Sequence, residues 1–213
     1  MKADGIIFDL DGTLWDSIEP VTESWNQIIE KRLGNESRIT TENMHDSMGM
    51  LMEDIGKKLF PQLPEEEMLS LLRECCDYEN IYVGKVGGTL FEGVEETLKA
   101  LAAKFPLFIV SNCQAGYIEA FFQAHGLKKY FKDYENPGRT GLDKAGNIRL
   151  VAERNHLSCP VYVGDTQGDC DSSKKAGVSF VFARYGFGNV KPEECSGIAD
   201  SFGELDDLIC QEK

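Results

Sequence analysis

Long hydrophobic runs are absent from this sequence. Hydrophobic residues make up 42% of its 213 residues, but no run approaches the roughly 20 apolar residues that a membrane-spanning helix requires. The apolar run near the N-terminus, GIIF, is followed directly by Asp9 and Asp11, which does not fit the apolar segment of a secretory signal peptide. We therefore expect a soluble, cytoplasmic protein that does not bind membranes.

Histidine is scarce, and the cysteines lack paired spacing. The three histidines lie far apart along the chain, and the seven cysteines, an odd number, include no Cys-x-x-Cys motif. A zinc site and a disulfide framework are therefore not expected, and a reducing compartment fits the cysteine usage best.

Positive charge is also in short supply. The chain has 22 Lys and Arg against 36 Asp and Glu, which gives a net charge of −14. Nucleic-acid-binding proteins typically carry basic patches, so this acidity argues against such a partner. Residues 15–84 hold 15 acidic and 6 basic residues, a net charge of −9. This acidic segment would repel polyanions within about 8 Å of its surface at physiological salt.

The sequence does contain enough apolar and aromatic residues for a large folded core. Aromatic residues make up 10% of the chain, which excludes a disordered or collagen-like protein. The length favours one large domain, or one domain with an insertion. Short apolar segments typical of buried strands alternate with segments of helical periodicity, which predicts an α/β fold with a parallel sheet and helices on both faces. The predicted strands are residues 5–9, 107–110, 161–163 and 178–182.

One part of the chain does not follow this alternation. From Leu14 onward an apolar stripe at helical spacing predicts a helix that Ser17 could cap. Residues 38–82 show further helical patches and no convincing strand, and a glycine cluster at 84–88 follows them. We therefore predict a core of residues 1–14 and 85–213 that carries a helical insertion at residues 15–84.

Polar side chains follow the predicted strands at the points where they end. Asp9 and Asp11 lie at the end of the first strand, Ser111 and Asn112 follow the second, and Asp165 and Asp169 follow the third. Lys144 opens a helix between the second and the third strand. Ligands of open parallel sheets bind beyond the carboxyl ends of the strands. Crowded carboxylates repel each other and need a cation, and oxygen ligands without histidine or cysteine favour Mg²⁺. The pattern therefore predicts a magnesium and phosphate site.

The segments FDLDGTLWDS, VSN, Lys144 and VYVGDTQGD, in this order, resemble the four motifs of the haloacid dehalogenase superfamily, specifically its phosphatase branch. The resemblance covers essentially the whole chain and is greatest to phosphoglycolate-phosphatase-like members. It implies a Rossmann-like core, a helical cap formed by the insertion, and a Mg²⁺-dependent phosphatase that hydrolyses a small phosphorylated metabolite through an aspartyl-phosphate.

The resemblance also implies catalytic roles for individual residues. Asp9 would be the nucleophile, and Asp11 the acid that protonates the leaving oxygen and then the base that activates water. Lys144 would neutralise the charge on the aspartyl-phosphate. The segment around Lys144 departs from the family pattern, so Arg139 is an alternative for this cation. Asp11 is absent from the branches that cleave carbon–halogen and phosphonate bonds, so both reactions are disfavoured.

Further residues are assigned to phosphate and metal binding by the same resemblance. Ser111 and the Asn112 amide would hold the phosphoryl oxygens. The turn that follows the nucleophile would complete the phosphate site, with Thr13 as its buttress. The expected phosphate-binding residues are Gly12, Thr13, Ser111 and Asn112, and the expected metal-binding residues are Asp9, Asp11 through its backbone carbonyl, Asp165 and Asp169.

Two alternatives to a phosphatase stay open from the sequence. A sugar phosphomutase shares the fold and the nucleophile but returns the phosphoryl group to its substrate. A phospho-accepting signalling module also combines acidic residues with Ser/Thr and Lys, but such modules are shorter, lack a cap and phosphorylate an aspartate on a middle strand. The oligomeric state is expected to be a monomer or a small homo-oligomer.

Overall fold

The computed structural model describes residues 3–210. Strands and helices alternate through most of this range, with one purely helical stretch near the N-terminus. The strands are β1 (Gly5–Phe8), β2 (Trp15–Asp16), β3 (Thr89–Leu90), β4 (Leu107–Val110), β5 (Phe131–Glu135), β6 (Pro160–Gly164), β7 (Ser179–Ala183) and β8 (Gly197–Ala199). The α-helices are α1 (Ile18–Leu33), α2 (Thr41–His45), α3 (Met52–Leu59), α4 (Glu65–Val86), α5 (Val94–Ala102), α6 (Tyr117–His125), α7 (Pro137–Thr140), α8 (Lys144–Arg154), α9 (Gln167–Ala176) and α10 (Leu205–Cys210).

The core of the molecule is a six-stranded sheet in the order β5-β4-β1-β6-β7-β8, and neighbouring strands pair in parallel. Alternate residues of a strand face opposite sides of a sheet. In β1, Ile6 and Phe8 belong to one apolar cluster, whereas Ile7 belongs to a second cluster that includes Ile148 and Val151 of α8. Both faces of the central strand are therefore buried, and the predicted α/β fold is confirmed.

The helical stretch enters and leaves the core through a short ribbon. Trp15 and Asp16 of β2 pair antiparallel with Leu90 and Thr89 of β3, and helices α1 to α4 lie between these two strands. Within this stretch α1 packs on α4, and α4 also packs against α6 of the core. These contacts place the helical stretch over one end of the sheet, and we refer to residues 15–84 as the cap segment below.

The first helix begins directly after Ser17, as a cap at this residue predicts, but Leu14 lies outside the helix. Leu14 precedes β2, and the helix begins only at Ile18. Ser17 occupies the N-cap position but its side chain makes no capping hydrogen bond. Its hydroxyl instead donates to the Asp11 carboxylate, because the two-residue strand β2 turns Ser17 back toward the end of β1.

The prediction also omitted β5, β8 and the β2–β3 ribbon.

None of the helices described for residues 3–210 combines the length and the apolar character that crossing a membrane requires.

Candidate active site

The ends of three neighbouring strands assemble the site. Within the sheet β1 lies between β4 and β6, and Phe8 is in register with Ile109 on one side and Val163 on the other. The next residues along the three strands therefore emerge together, and the backbone N–H of Asp9 still donates to the carbonyl of Val163 at 2.8 Å. This parallel register explains why motifs more than 150 residues apart along the chain meet at one edge of the sheet.

A buried carboxylate cluster lies at this edge. Oxygen atoms of Asp9, Asp165 and Asp169 all lie within 4.8 Å of one another, and the three residues are at most 2% exposed. Lys144 lies among them, with its Nζ 2.6 Å from Asp169 Oδ1 and 3.1 Å from Asp9 Oδ1. The cluster thus combines three carboxylates with one lysine, which contacts two of them, so it has an excess of acidic groups.

This excess of acidic groups changes the pKa values of the cluster. Burial raises the pKa of Asp9 well above its ordinary value, and the negative charge of Asp169 raises it further. Burial and the charge of Asp169 raise the pKa of Asp165 to about 7. Burial alone would lower the pKa of Lys144, but the charges of Asp169 and Asp9 outweigh this effect and the net shift is upward. The cluster is therefore short of positive charge.

A divalent cation fits this donor set. Carboxylate oxygens without histidine or cysteine are hard ligands of the kind that Mg²⁺ takes. Among the described residues, no hydrogen-bond donor is directed to the backbone carbonyl of Asp11, which leaves its oxygen available as a ligand. Asp9, Asp165 and the Asp11 carbonyl could hold the ion, while Asp169 could do so only if it relaxed its existing contacts.

Asp169 already has several partners that fix its side chain. Its Oδ2 accepts hydrogen bonds from the backbone N–H and the hydroxyl of Thr166, which completes a capping box at the start of α9. Its Oδ1 accepts from Lys144 at 2.6 Å and from the Tyr162 hydroxyl at 3.3 Å. Asp169 therefore links the N-terminus of α9 to the lysine and orients Lys144 toward Asp9.

The structure distinguishes between the two candidate cations. Lys144 is 3% exposed and touches the carboxylate cluster directly. Arg139 instead lies 3.6 Å from Glu135, donates to the carbonyl of Tyr134 and stacks over the ring of Tyr134. Arg139 is thus engaged at the end of β5, and the cation of the carboxylate cluster is Lys144.

Asp11 lies in a separate hydrogen-bond network. Its Oδ1 accepts from Trp15 Nε1 at 2.9 Å, from the Tyr117 hydroxyl at 2.9 Å and from the hydroxyl of Ser17. Burial raises the pKa of Asp11, and the hydrogen bonds from Ser17, Tyr117 and Trp15 partly offset this rise. Tyr117 was not identified from the sequence, because it comes from the first turn of α6 and reaches Asp11 only through the packing of that helix.

The turn after Asp9 packs closely against the side chain of Asp165. Gly12 has a φ of +77°, and a Cβ at this position would lie 2.3 Å from a carboxylate oxygen of Asp165. The hydroxyl of Thr13 donates to Asp165 Oδ1 at 3.1 Å. Glycine is therefore required here for both its backbone conformation and its lack of a side chain, and Thr13 holds a carboxylate of the cluster.

The backbone donors of this turn are not equally available to a phosphate. The N–H groups of Gly12 and Thr13 donate to the carbonyls of Trp15 and Leu10, respectively. Among the described residues, the N–H groups of Leu10 and Asp11 donate to no protein acceptor. Phosphate binding by Gly12 and Thr13 stays a prediction, and Leu10 and Asp11 supply backbone donors that the sequence analysis did not single out.

Ser111 and Asn112 lie where the core faces the cap segment. Ser111 is buried at the end of β4, and its backbone N–H donates to the carbonyl of Glu135 at 3.4 Å. Asn112 Nδ2 donates to the carbonyl of Gly49 at 3.0 Å. The Gly49 loop thus closes over the same strand ends, so the site is covered by the cap segment.

A comparison with protein-family models matches the part of the chain that contains this site. The family model described as haloacid dehalogenase-like hydrolase matches residues 6–183 of the chain, which includes the whole carboxylate cluster. The chain belongs to the haloacid dehalogenase-like hydrolase family. The predictions of this family and of a hydrolase of the phosphatase type are thereby confirmed, and the roles of individual site residues stay predictions.

Two curated relatives illustrate the similarity. The chain is 30% identical to phosphoglycolate phosphatase from Vibrio vulnificus (strain YJ016), with 96% of this chain and 95% of the relative covered. It is 29% identical to phosphoglycolate phosphatase from Photobacterium profundum, with 96% of this chain and 94% of the relative covered. The similarity therefore extends over the core and the cap segment of both relatives.

Solved structures share the fold at lower sequence identity. A predicted phosphoglycolate phosphatase from Haemophilus somnus superposes with a TM-score of 0.83 at 22% identity and covers 96% of each chain. A haloacid dehalogenase-like hydrolase from Bacteroides fragilis superposes with a TM-score of 0.81 at 22% identity, covering 96% of this chain and 100% of that one. Both neighbours therefore share the fold over nearly the whole chain.

Proposed function

We propose that this protein is a Mg²⁺-dependent phosphatase that hydrolyses a phosphate monoester of a small metabolite through a phosphorylated Asp9. The observation that carries this proposal is the buried cluster of Asp9, Asp165 and Asp169, in which Lys144 contacts Asp9 and Asp169. Such an arrangement combines a nucleophilic carboxylate with the positive charge that a phosphoryl group needs. The similarity to curated phosphoglycolate phosphatases supports the same reaction class.

In the first step the Asp9 carboxylate forms a bond to phosphorus as the bond to the leaving oxygen breaks. Asp11 donates a proton to that oxygen, so the product leaves as a neutral alcohol. Burial raises the pKa of Asp11 and thereby favours the protonated form that this step requires. Lys144 lies 3.1 Å from Asp9 and would offset the charge on the phosphoryl oxygens.

In the second step Asp11 removes a proton from water, and the water oxygen attacks phosphorus. The bond between phosphorus and Asp9 then breaks, which releases inorganic phosphate and restores the Asp9 carboxylate. Mg²⁺ bound by the carboxylate cluster would supply positive charge to the phosphoryl oxygens in both steps. The cap segment covers the strand ends and would limit the access of bulk water during the first step.

The test is a comparison of Asp9→Asn with the wild-type protein on p-nitrophenyl phosphate. The variant keeps the size of the side chain but loses the nucleophile, so we expect turnover to fall by at least about a thousandfold, with unchanged circular dichroism. Removal of Mg²⁺ with EDTA should stop the wild-type reaction, and added Mg²⁺ should restore it. Asp171→Asn is the matched control, because Asp171 is exposed and its carboxylate accepts a hydrogen bond from Gln167, away from the carboxylate cluster.

The intermediate can be tested directly. Wild-type protein quenched in acid during turnover of a ³²P-labelled ester should carry a label that hydroxylamine releases, as expected of an acyl phosphate. Full activity of Asp9→Asn would exclude the mechanism. A labelled protein that releases no inorganic phosphate would argue for a phosphotransfer enzyme instead of a phosphatase.

A further inference from the structure

A small cavity separates the cap segment from the core beside the proposed site. Its volume is about 40 Å³, and Asp11, Asn112 and Tyr117 of the core form one wall. Since Asp11 is the residue that would protonate the leaving oxygen, this cavity lies on the leaving-group side of the phosphoryl site. A volume of this size holds only a few water molecules, so the cavity fits a small leaving group.

The cap segment lines the cavity with apolar side chains. Four methionines contribute to it, together with the ring of Trp25 and two aliphatic side chains. The cap residues that line it are Val21, Trp25, Met44, Ser47, Met48, Gly49, Met50, Met52, Ile55 and Glu79. Glu79 is thus the ionisable residue that the cap segment contributes, and of residues 3–210 no lysine, arginine or histidine lines the cavity.

Glu79 places a carboxyl group in this apolar wall. It is 4% exposed, and its Oε2 accepts a hydrogen bond from Trp25 Nε1. Burial raises its pKa to about 7, and the charge of Asp11 contributes to the rise, while hydrogen bonds from Trp25 and Gln114 oppose it. The leaving group of a bound substrate would therefore face two carboxyl groups, those of Asp11 and Glu79.

Three of the six basic residues of the cap segment have partners away from the cavity. Arg32 pairs with Glu74, and Arg38 pairs with Glu30, both at the surface. Lys58 donates to the backbone carbonyl of Asp46. A neighbouring groove, lined by residues that include Glu53 and Asp54, adds no basic side chain from the described part of the chain. A second anionic group on the substrate would therefore find no basic side chain among the described residues that line the cavity and the groove.

We propose that the substrate of this protein carries a small uncharged or cationic leaving group, and that the enzyme discriminates against phosphate esters of hydroxy acids. This inference rests on the proposed phosphatase function and names the substrate class of the same site. The carboxylate of a hydroxy acid would lose its hydration in an apolar cavity whose lining offers two carboxyl groups and, among residues 3–210, no basic side chain, and burial of a charge without a partner is costly. The proposed leaving group differs from that of 2-phosphoglycolate, which carries a carboxylate. Phosphoglycolate is the substrate in the names of the curated relatives.

Three esters of matched size test this proposal. 2-Hydroxyethyl phosphate, phosphoethanolamine and 2-phosphoglycolate carry a hydroxyl, an ammonium and a carboxylate, respectively, at the same distance from phosphorus. We expect kcat/KM for each of the first two esters to exceed that for 2-phosphoglycolate by about tenfold or more, since a carboxylate buried without a counter-charge is strongly unfavourable. A kcat/KM for 2-phosphoglycolate equal to or above the other two would overturn the proposal.

A variant pair identifies Glu79 as a source of the discrimination. Glu79→Gln should raise kcat/KM for 2-phosphoglycolate several-fold and should not raise it for phosphoethanolamine. Asp77→Asn removes the same charge from the exposed face of the same helix and should leave the ratio of the two esters unchanged. An unchanged ratio in Glu79→Gln would contradict the role of Glu79.

The same assay separates this inference from the proposed function. If the protein hydrolyses none of the three esters, nor p-nitrophenyl phosphate, the phosphatase function fails and the inference fails with it. If it hydrolyses p-nitrophenyl phosphate and prefers 2-phosphoglycolate, the phosphatase function stands and only the inference about the leaving group is wrong.

Discussion

At the scale of single residues, the two aspartates of the first motif are placed in different surroundings. Asp9 faces Lys144 and the other carboxylates, whereas Asp11 is surrounded by the hydroxyls of Ser17 and Tyr117 and by the indole N–H of Trp15. A nucleophile and an acid–base residue need different environments, because one must stay ionised while the other exchanges a proton. The two networks provide different environments, and the positive charge of Lys144 opposes the rise in the pKa of Asp9 that burial and Asp169 cause.

The hydrogen bond from Tyr117 leads to the first residue-scale prediction. Tyr117→Phe removes a donor to Asp11 and keeps the ring that packs against Trp15. A hydrogen bond to a charged group contributes about 1.5–3 kcal/mol, so we expect kcat to fall about tenfold to a hundredfold. KM should change little, because Asp11 acts in proton transfer and not in binding of the phosphoryl group.

The control for this variant is Tyr134→Phe. The Tyr134 hydroxyl donates to Glu119 at 3.0 Å, away from Asp11, and its loss should leave kcat unchanged. Steady-state kinetics on p-nitrophenyl phosphate provide the measurement. Equal kcat values for the Tyr117→Phe variant and the wild-type protein would show that this contact does not position Asp11.

Single residues of the site were predictable to different degrees. The sequence singles out five site residues because they follow predicted strands or open a predicted helix: Asp9, Asp11, Lys144, Asp165 and Asp169. The structure brings all of them except Asp11 into one cluster, and Asp11 lies in a separate network. Glu79 and Tyr117 could not be singled out, because their helices bring them to the site only through tertiary packing. A glutamate in the acidic helix α4 fits a solvated helix face, and its burial depends on the contact between α4 and α1.

At the scale of elements, the strands that follow simple apolar patterns were predicted and the others were not. The segments GIIF, LFIV and PVYVG form β1, β4 and β6, each with buried residues throughout most of its length. β5, with the sequence FKDYE, lies at the edge of the sheet and pairs only with β4. Edge strands tolerate charged residues, so their sequences lack the apolar run on which the prediction depended.

The loop after β7 provides an element-scale prediction. A Cβ at Gly186 would lie 2.2 Å from the carbonyl oxygen of Gly12 and 2.4 Å from Cβ of Asp165. Gly186→Ala would therefore force this loop away from the ends of β1 and β6, and overpacking of this kind costs about 1–3 kcal/mol. We expect the variant to have a lower Tm and at least a tenfold lower kcat/KM.

Gly203→Ala provides the comparison, because a Cβ at Gly203 would meet no heavy atom within 4 Å. Thermal unfolding and steady-state kinetics of both variants check the expectation. Wild-type activity in Gly186→Ala would mean that the loop adapts without moving Gly12 or Asp165.

At the scale of the whole molecule, the acidity is concentrated where the cap segment meets solvent. Residues 15–84 have a net charge of −9, out of −14 for the chain. Much of the remaining excess in the core comes from the carboxylates of the site. The charge distribution therefore supports the earlier expectation that polyanions are poor partners, and it agrees with a cavity that lacks basic side chains.

Burial of Glu79 between cap segment and core makes the stability of the folded protein depend on pH. Its pKa rises from 4.5 to about 7 on folding, so the folded state binds this proton more tightly than the unfolded state does. The free energy of unfolding should therefore decrease as pH rises from about 4.5 to about 7, and the contribution should be constant above that range. A shift of this size corresponds to about 3 kcal/mol.

Glu79→Gln isolates this contribution, because glutamine can still accept the hydrogen bond from Trp25 but does not titrate. We expect the free energy of unfolding of the variant, measured by urea denaturation, to increase by about 3 kcal/mol relative to the wild-type protein between pH 4.5 and pH 7. Asp77→Asn, on the exposed face of the same helix, should show a difference from the wild-type protein that does not change with pH. If the free energies of unfolding of Glu79→Gln and the wild-type protein changed with pH in the same way, Glu79 would keep its ordinary pKa. Water or an unrecognised partner would then solvate its carboxylate inside the cavity.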